Sequence, residues 1–187
     1  MNLISLVGLS GSLRAEAHST AILRSLSERL PDGVALRIHD YANLPLYNQD
    51  LDGPEALPPV RALREAIAGA DGLVIVTPEY NYGLPGVLKN ALDWASRPYG
   101  SGSLTGKPVV TMSNSPAFTG GVRALAQLHE TLLATQSLIV PRFQTVIGEV
   151  HKKVENGRLV DEPSLAFALG AVEDLCALIG NPARLAA

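Results

Sequence analysis

Apolar residues recur along this chain in two forms, short near-continuous runs and longer stretches at helical spacing, and their regular alternation predicts the architecture. Asn2 to Gly8 reads as a strand buried on both faces, because no turn residue interrupts its apolar run. Ser19 to Leu30 places Ile22, Leu23, Leu26 and Leu30 at helical spacing, and Pro31-Asp32-Gly33 stops it. Ala35 to Tyr41 alternates apolar with polar and predicts an edge or half-exposed strand. A loop through Pro45, Pro54 and Pro58 leads to a helix from about Val60 to Ala68. Gly72 to Thr77 is the third strand and Pro85 to Ser96 the third helix, with Pro85 and Gly86 tolerated in its first turn. Pro108 to Asn114 and Gly121 to Ala134 form the next pair. Ser137 to Val140 starts a fifth strand that Pro141 interrupts and that resumes near Thr145 to Gly148. Asn156-Gly157 marks a tight turn in a short excursion, and Ser164 to Ile179 is the closing helix.

Five strands alternating with five helices predict an α/β three-layer sandwich around a parallel sheet, because parallel strands need crossovers and those cover both faces. At 187 residues and 47% hydrophobic content, one domain spanning 1–187 with one substantial core is expected. A net charge of -3 with thinly spread basic residues excludes a strong electrostatic footprint for nucleic acid or an anionic membrane. Met1 runs directly into a strand pattern, and no apolar run approaches the ~20 residues of a membrane span, so a cytoplasmic protein is expected. The single Cys176, flanked by Leu175, Ala177, Leu178 and Ile179, reads as a buried structural thiol.

A doubly wound sheet binds its ligand outside the carboxyl ends of its strands, which directs attention to the loops after strands one, three and four. In the first, Ser10 to Ser19, short side chains let backbone N–H groups approach an anion, and the following helix adds its positive N-terminus. Ser10, Ser12, Ser19 and Thr20 offer hydroxyls and Arg14 a permanent charge. The alternative is a helix cap, a turn and a solvated arginine. The loop lacks both the Walker lysine and the Gly-x-Gly-x-x-Gly fingerprint, which disfavours nucleoside triphosphate chemistry. In the second loop, Pro78 turns the chain out of the sheet and leaves the N–H groups of Glu79, Tyr80, Asn81 and Tyr82 available. A planar heterocycle suits that edge, with Tyr80 and Tyr82 offering apolar faces and Asn81 a donor and an acceptor. Against this stands ordinary packing of the tyrosines and a surface role for Glu79. The third loop, Ser113 to Gly121, brings Gly120 and Gly121 to a helix start, either for close approach of a flat ligand or as a flexible connection. The four histidines form no metal-ligand spacing and no nucleophile elbow is present, so a metal site and a hydrolase are both disfavoured. Each histidine reads as a surface or helix-end residue.

Gly11-Ser12-Leu13-Arg14, Pro78-Glu79-Tyr80-Asn81-Tyr82 and the following Leu84-Pro85-Gly86-Val87-Leu88-Lys89-Asn90-Ala91-Leu92-Asp93-Trp94 resemble the flavodoxin-like NAD(P)H-dependent FMN reductases, a family that includes quinone, azo-dye and chromate reductases. The likeness runs over nearly the whole chain. Ser115-Pro116 through Gly120-Gly121-Val122-Arg123 is similar to the family's third flavin loop. The resemblance implies a flavodoxin-like sandwich with a five-stranded parallel sheet, non-covalent FMN as cofactor, and NADPH or NADH as electron donor in a ping-pong cycle. Carried over by position, Ser12, Leu13 and Arg14 hold the phosphate, Pro78, Glu79, Tyr80 and Asn81 one isoalloxazine edge with Tyr82, and Ser115, Gly120 and Gly121 the opposite edge. No protein acid or base is implied, since the flavin carries the chemistry.

The family continues its first motif as Arg-x-x-Ser-x-Asn, whereas this chain reads Arg14-Ala15-Glu16-Ala17-His18-Ser19. Two phosphate ligands are thereby changed, each hydrogen bond to a charged group being worth ~1.5 to 3 kcal/mol, with His18, Ser19 and Thr20 as compensating donors. Both a permanent prosthetic group and loose, substrate-like FMN stay open. The resemblance also implies a homodimer or homotetramer, with the Pro85 to Trp94 helix and the Arg97 to Leu104 loop as contact surfaces and Trp94 either internal or an interface anchor. Arg123 reads as a solvated helix charge, or as a contact to a second subunit or the pyridine nucleotide. The segments Leu44 to Pro59 and Tyr99 to Ser103 are expected to shape the mouth, and quinone, azo compound, nitroaromatic, free flavin or metal oxyanion remain open as acceptor. The competing readings are an FMN-binding electron-transfer module without NAD(P)H oxidation and a flavin-free scaffold.

Overall fold

The central strands are almost wholly apolar, and their residues alternate between two separate cores. In the computed structural model, which describes residues 3–53 and 56–181, β1 (Ile4–Ser10), β2 (Val34–Ile38), β3 (Gly72–Pro78), β4 (Pro108–Asn114) and β5 (Leu138–Ile139) lie in the order β2-β1-β3-β4-β5. All pair in parallel. That is the flavodoxin-like doubly wound order. Asn2 and Pro54, assigned above to the first strand and the Pro-rich loop, lie outside the described residues. Val7, Leu9, Leu73, Ile75 and Val109 face one core with α2 (Pro58–Ala68), α3 (Gly86–Ala95) and α4 (Val122–Ala134). Leu6, Val74, Val76, Val110 and Met112 face the other with α1 (His18–Arg29) and α5 (Glu162–Gly180). The continuous apolar runs thus reflect burial on both faces, as parallel strands require.

The fifth sheet position is shared. β5 flanks Pro108 and Val109, the chain leaves the sheet at Pro141, and β6 (Thr145–Ile147) returns beside Met112 to Asn114. Proline supplies no ladder donor, which accounts for the break. The excursion that follows contains a short 3-10 turn and a hairpin of β7 (Val154–Glu155) and β8 (Arg158–Leu159). Its turn residues Asn156 and Gly157 both have positive φ, at 49° and 72°, as a type I′ hairpin turn demands. β2 is the alternating edge strand expected, but it ends at Ile38, and Tyr41 turns inward instead. α5 begins two residues before Ser164, because Asp161 accepts a hydrogen bond from the Ser164 N–H and caps it.

Three sequence expectations change. α5 spans 19 residues and is apolar enough by length and composition to cross a membrane. Its Leu165, Ala168, Val172 and Leu175 cover the sheet, so one face of this helix belongs to the core. Cys176 is only partly buried, and burial together with Glu173 raises its thiol pKa. Two histidines lie inward. His39 Nε2 is buried without a partner among the described residues, and His129 Nε2 meets the hydroxyl of buried Thr111 at 2.7 Å. Trp94 is fully buried, with its indole N–H donating to Pro45 O, while Asn90 Nδ2 donates to the same oxygen and Asn90 Oδ1 accepts from the Tyr47 N–H. The α3 motif therefore anchors the Pro-rich loop from beneath.

Burial lowers the pKa of His129, and burial together with Arg37 lowers that of His39. An unfolded histidine titrates near 6.5, so below that pH the unfolded chain binds more protons than the folded one. The contribution to stability is complete above pH 6.5 and is lost as pH falls through the lowered folded-state values. Melting temperature is expected to drop between about pH 7.5 and 5.5, and His129→Gln, which removes one titrating group, to flatten that slope. An unchanged slope would contradict this assignment.

Candidate functional site

The site is built where β1, β3 and β4 end side by side. Gly11 follows β1 directly and donates its N–H to Val76 O at 2.8 Å, so the first loop crosses over the end of β3. A Cβ on Gly11 would sit 2.6 Å from Thr77 Oγ1 and 2.9 Å from both Thr77 Cα and Pro78 Cδ, which leaves room for glycine alone. Beyond the crossing, a cavity of about 320 Å3 opens, lined by Ser12, Arg14, Ala17, His18, Ser19, Pro78, Glu79, Tyr80, Asn114 and Pro116. Parts of three loops distant in sequence share this one space, as the strand-end rule requires.

The floor of the cavity is polar and ordered. Asn114, 1% exposed at the end of β4, donates through Nδ2 to Ser19 Oγ at 2.8 Å and to Thr77 O at 3.3 Å. Because Ser19 Oγ accepts from Asn114, its own hydrogen is left to donate. Ala17 occupies the α1 N-cap without a capping side chain, and the first turn holds no acidic residue. Among the described residues, the N–H groups of His18, Ser19 and Thr20 have no acceptor. An uncapped helix start with unspent donors fits an anion such as a phosphate. Burial, then Arg14, then His151 lower the pKa of His18. Glu16, which sequence puts beside this loop, lines a different cavity with Arg24 and the β7–β8 hairpin.

The remaining predicted residues divide. Ser12 Oγ lies 3.0 Å from the Tyr80 hydroxyl and ties the first loop to the second. Ser10 and Thr20 are occupied internally: Thr20 Oγ1 donates to Ser10 Oγ, which donates to Ser12 O. Their hydroxyls thus shape the loop instead of reaching outward, and with Leu13 they line a second cavity on its far side. Buried Tyr41, overlooked in the sequence, donates its hydroxyl to Ser10 O. Arg14 is exposed and donates to Glu16 O at 3.0 Å.

Asn81 and Tyr82 have φ of 50° and 63°, flanked by reciprocal backbone bonds between Tyr80 and Gly83. The Tyr80 N–H expected to be available is therefore spent, whereas those of Glu79, Asn81 and Tyr82 have no acceptor among the described residues. Two successive non-glycine residues in left-handed geometry cost roughly 1–2 kcal/mol each, and such strain persists only where the surroundings enforce it. Glu79 is no free surface acid, since its carboxylate reaches the start of α4. Nor is Arg123 simply solvated: its guanidinium lies 4.2 Å from the Tyr82 ring centroid.

Gly120 and Ser115 turn toward β6 and away from the cavity. A Cβ on Gly120 would meet Val146 Cγ1 at 2.2 Å, the Ser115 N–H donates to Ile147 O, and Ser115 Oγ accepts from the Ala117 N–H. The space that Gly120 leaves is thus filled by protein. Gly121, at φ 88°, forms the left-handed N-cap of α4. Asn114 lines this candidate site although the sequence reading assigned it no role. Its one signal is that it ends the otherwise buried fourth strand with an amide.

Comparison with known proteins identifies the family. A family model described as NADPH-dependent FMN reductase matches residues 4–152. A quinone reductase of Pseudomonas putida is 40% identical over 163 residues, covering 87% of this chain and 88% of that one. An NAD(P)H-dependent FMN reductase of Pseudomonas aeruginosa is 36% identical over 160 residues, covering 85% and 86%. Among solved structures, a flavoenzyme NAD(P)H:(acceptor) oxidoreductase from Paracoccus denitrificans superposes with a TM-score of 0.78 at 30% identity, over 95% of this chain and 98% of that one.

Two substitutions test the local geometry without a ligand. Gly11→Ala is expected to destabilise the protein by about 1–3 kcal/mol, because the added methyl overlaps backbone. Ala17→Ser is expected to stabilise it by about 1 kcal/mol through the missing helix cap. Denaturant midpoints measure both, and a neutral Gly11→Ala would contradict the crossing described above.

Proposed function

Because the chain belongs to the NADPH-dependent FMN reductase family, we propose that it holds FMN across the ends of β1, β3 and β4 and transfers reducing equivalents from NADPH or NADH to a quinone-type acceptor. The observation that carries this reading is the uncapped start of α1: His18 and Ser19 line a cavity together with Tyr80 and Asn114, and the N–H groups of His18, Ser19 and Thr20 have no acceptor among the described residues. Bound FMN would supply the redox chemistry, accepting hydride from the pyridine nucleotide and passing electrons onward.

The protein's own part is binding and electrostatics. The α1 terminus, the Ser19 hydroxyl and Arg14 attract and orient the phosphate. Asn114 fixes Ser19 so that its hydrogen is presented to the cavity. In the second loop, the N–H groups of Glu79, Asn81 and Tyr82, which have no acceptor among the described residues, are the donors for a heterocycle edge rich in carbonyl groups, where they would favour negative charge. The altered Ala17 and Ser19 positions do not leave the phosphate end without donors. Backbone N–H groups stand in for the side chain that Ala17 lacks.

The names of the relatives support a quinone as acceptor, since those from Pseudomonas putida and Escherichia coli are quinone reductases and one from Burkholderia is a 2-hydroxy-1,4-benzoquinone reductase. A homodimer or homotetramer is supported by Leu46, Tyr99, Phe118 and Phe143, each more than four-fifths exposed. Trp94 has no part in such contacts, being fully buried. We place the protein in the cytoplasm, with its reduced nucleotide donors.

Fluorescence titration with FMN and riboflavin, followed by NADH or NADPH and a quinone, tests the reading. FMN-selective binding followed by nucleotide oxidation is expected, whereas FMN binding without oxidation would favour an electron carrier. Arg14→Ala is expected to weaken FMN by about 3- to 10-fold, toward the low end for a charged hydrogen bond because Arg14 is exposed, and to leave riboflavin unchanged. Equal losses for both flavins would contradict the phosphate assignment.

A further inference from the structure

The side chain of Glu79 leaves the loop to which its backbone belongs. Its Oε2 accepts hydrogen bonds from the N–H groups of Arg123 at 2.9 Å and Ala124 at 3.1 Å, the second and third residues of α4. A capping acceptor ordinarily comes from the N-cap residue itself. Here the N-cap is Gly121, which has no side chain, and the acceptor arrives from 44 residues away in sequence. A Cβ on Gly121 would lie 3.3 Å from Glu79 Cβ, tighter than most such contacts, so glycine at the cap admits the carboxylate.

Two further ties join the same partners. Gln127 Oε1, one turn further along α4, accepts from the Leu84 N–H at 2.8 Å, and Arg123 stacks on Tyr82. The second loop is thus fastened to α4 on both sides of Asn81 and Tyr82, the two residues held in left-handed geometry. Strained conformations of this kind need enforcement from outside the turn.

We propose that Glu79 is a positioning residue for the flavin: its carboxylate caps α4 from the second loop and thereby holds the Glu79 to Tyr82 donors in place. The proposal rests on the FMN reading above. It assigns the side chain's effect to the orientation of backbone donors and not to contact with the ligand. Reach and acceptor capacity are the requirements, and net charge is secondary, because an amide oxygen has two lone pairs and can accept both N–H groups.

Three variants separate reach from charge. Glu79→Gln keeps the length and an acceptor, Glu79→Asp keeps the charge but is one methylene shorter, and Glu79→Ala removes both. By titration, Glu79→Gln is expected to bind FMN and riboflavin within about 2-fold of the unaltered protein. Glu79→Asp and Glu79→Ala are expected to weaken both flavins in parallel by roughly 5- to 30-fold, which corresponds to the typical to largest effect of losing one helix cap. In flavin-free protein, hydrogen exchange at the Arg123 and Ala124 amides should accelerate in the Asp and Ala variants and not in the Gln variant. If Glu79→Ala fails to fold, the contrast between Gln and Asp decides the matter. Binding by Glu79→Asp equal to the unaltered protein, binding by Glu79→Gln as weak as Glu79→Ala, or unaltered amide exchange in all three would overturn the proposal. Unaltered protein that binds neither flavin would contradict the FMN reading instead, while the exchange experiment would still judge the cap.

Discussion

The crossing of the first loop over the end of β3 is the constraint on which the site depends. The Gly11 N–H bonds to Val76 O, and the missing side chain lets the backbone lie against Thr77 and Pro78. From there the chain reaches Ser12, beside Tyr80, and passes to the uncapped start of α1 beside Asn114. Were the loop displaced outward, His18 and Ser19 would no longer share a cavity with the second loop. A glycine with no chemistry of its own therefore determines where the chemistry can occur.

The parallel sheet makes that crossing possible. β1, β3 and β4 are adjacent and in register, with Pro78 beside Asn114 and Ser10 beside Val76, so β3 and β4 end level with one another and β1 stops two residues earlier, where its loop can pass over Thr77 and Pro78. Burial on both faces holds the strands there, with α1 and α5 covering one core and α2, α3 and α4 the other. At the site itself, packing gives way to polar linkage. Tyr41 reaches Ser10, Asn114 reaches Ser19, and Glu79 reaches α4. Each link ties a loop to a rigid element, which is how a surface loop acquires the precision that a binding site needs.

The fold was legible in the sequence because its signals are local. Continuous apolar runs identified β1, β3 and β4, helical spacing identified α1, and Pro141 marked the break between β5 and β6. The site was legible in outline, as three loops at three strand ends. Its details were less so, because the decisive partners are remote: Asn114 lies 95 residues from Ser19, and Glu79 44 from Arg123. Nothing near Gly120 in sequence reveals that Val146 fills its space, and nothing near Ser10 reveals that Thr20 and Tyr41 occupy its hydroxyl and carbonyl. Residue type indicated which chemistry was available, and tertiary contact decided which groups were already spent.

The central claim is that the start of α1 receives the phosphate while the second loop receives the ring. Backbone amide chemical shifts recorded with FMN and with riboflavin address it directly, since the two ligands differ by that phosphate alone. The account predicts that His18, Ser19 and Thr20 shift with FMN and not with riboflavin, whereas Glu79, Asn81 and Tyr82 shift with both. Phosphate-dependent shifts that leave the α1 amides unmoved would contradict it.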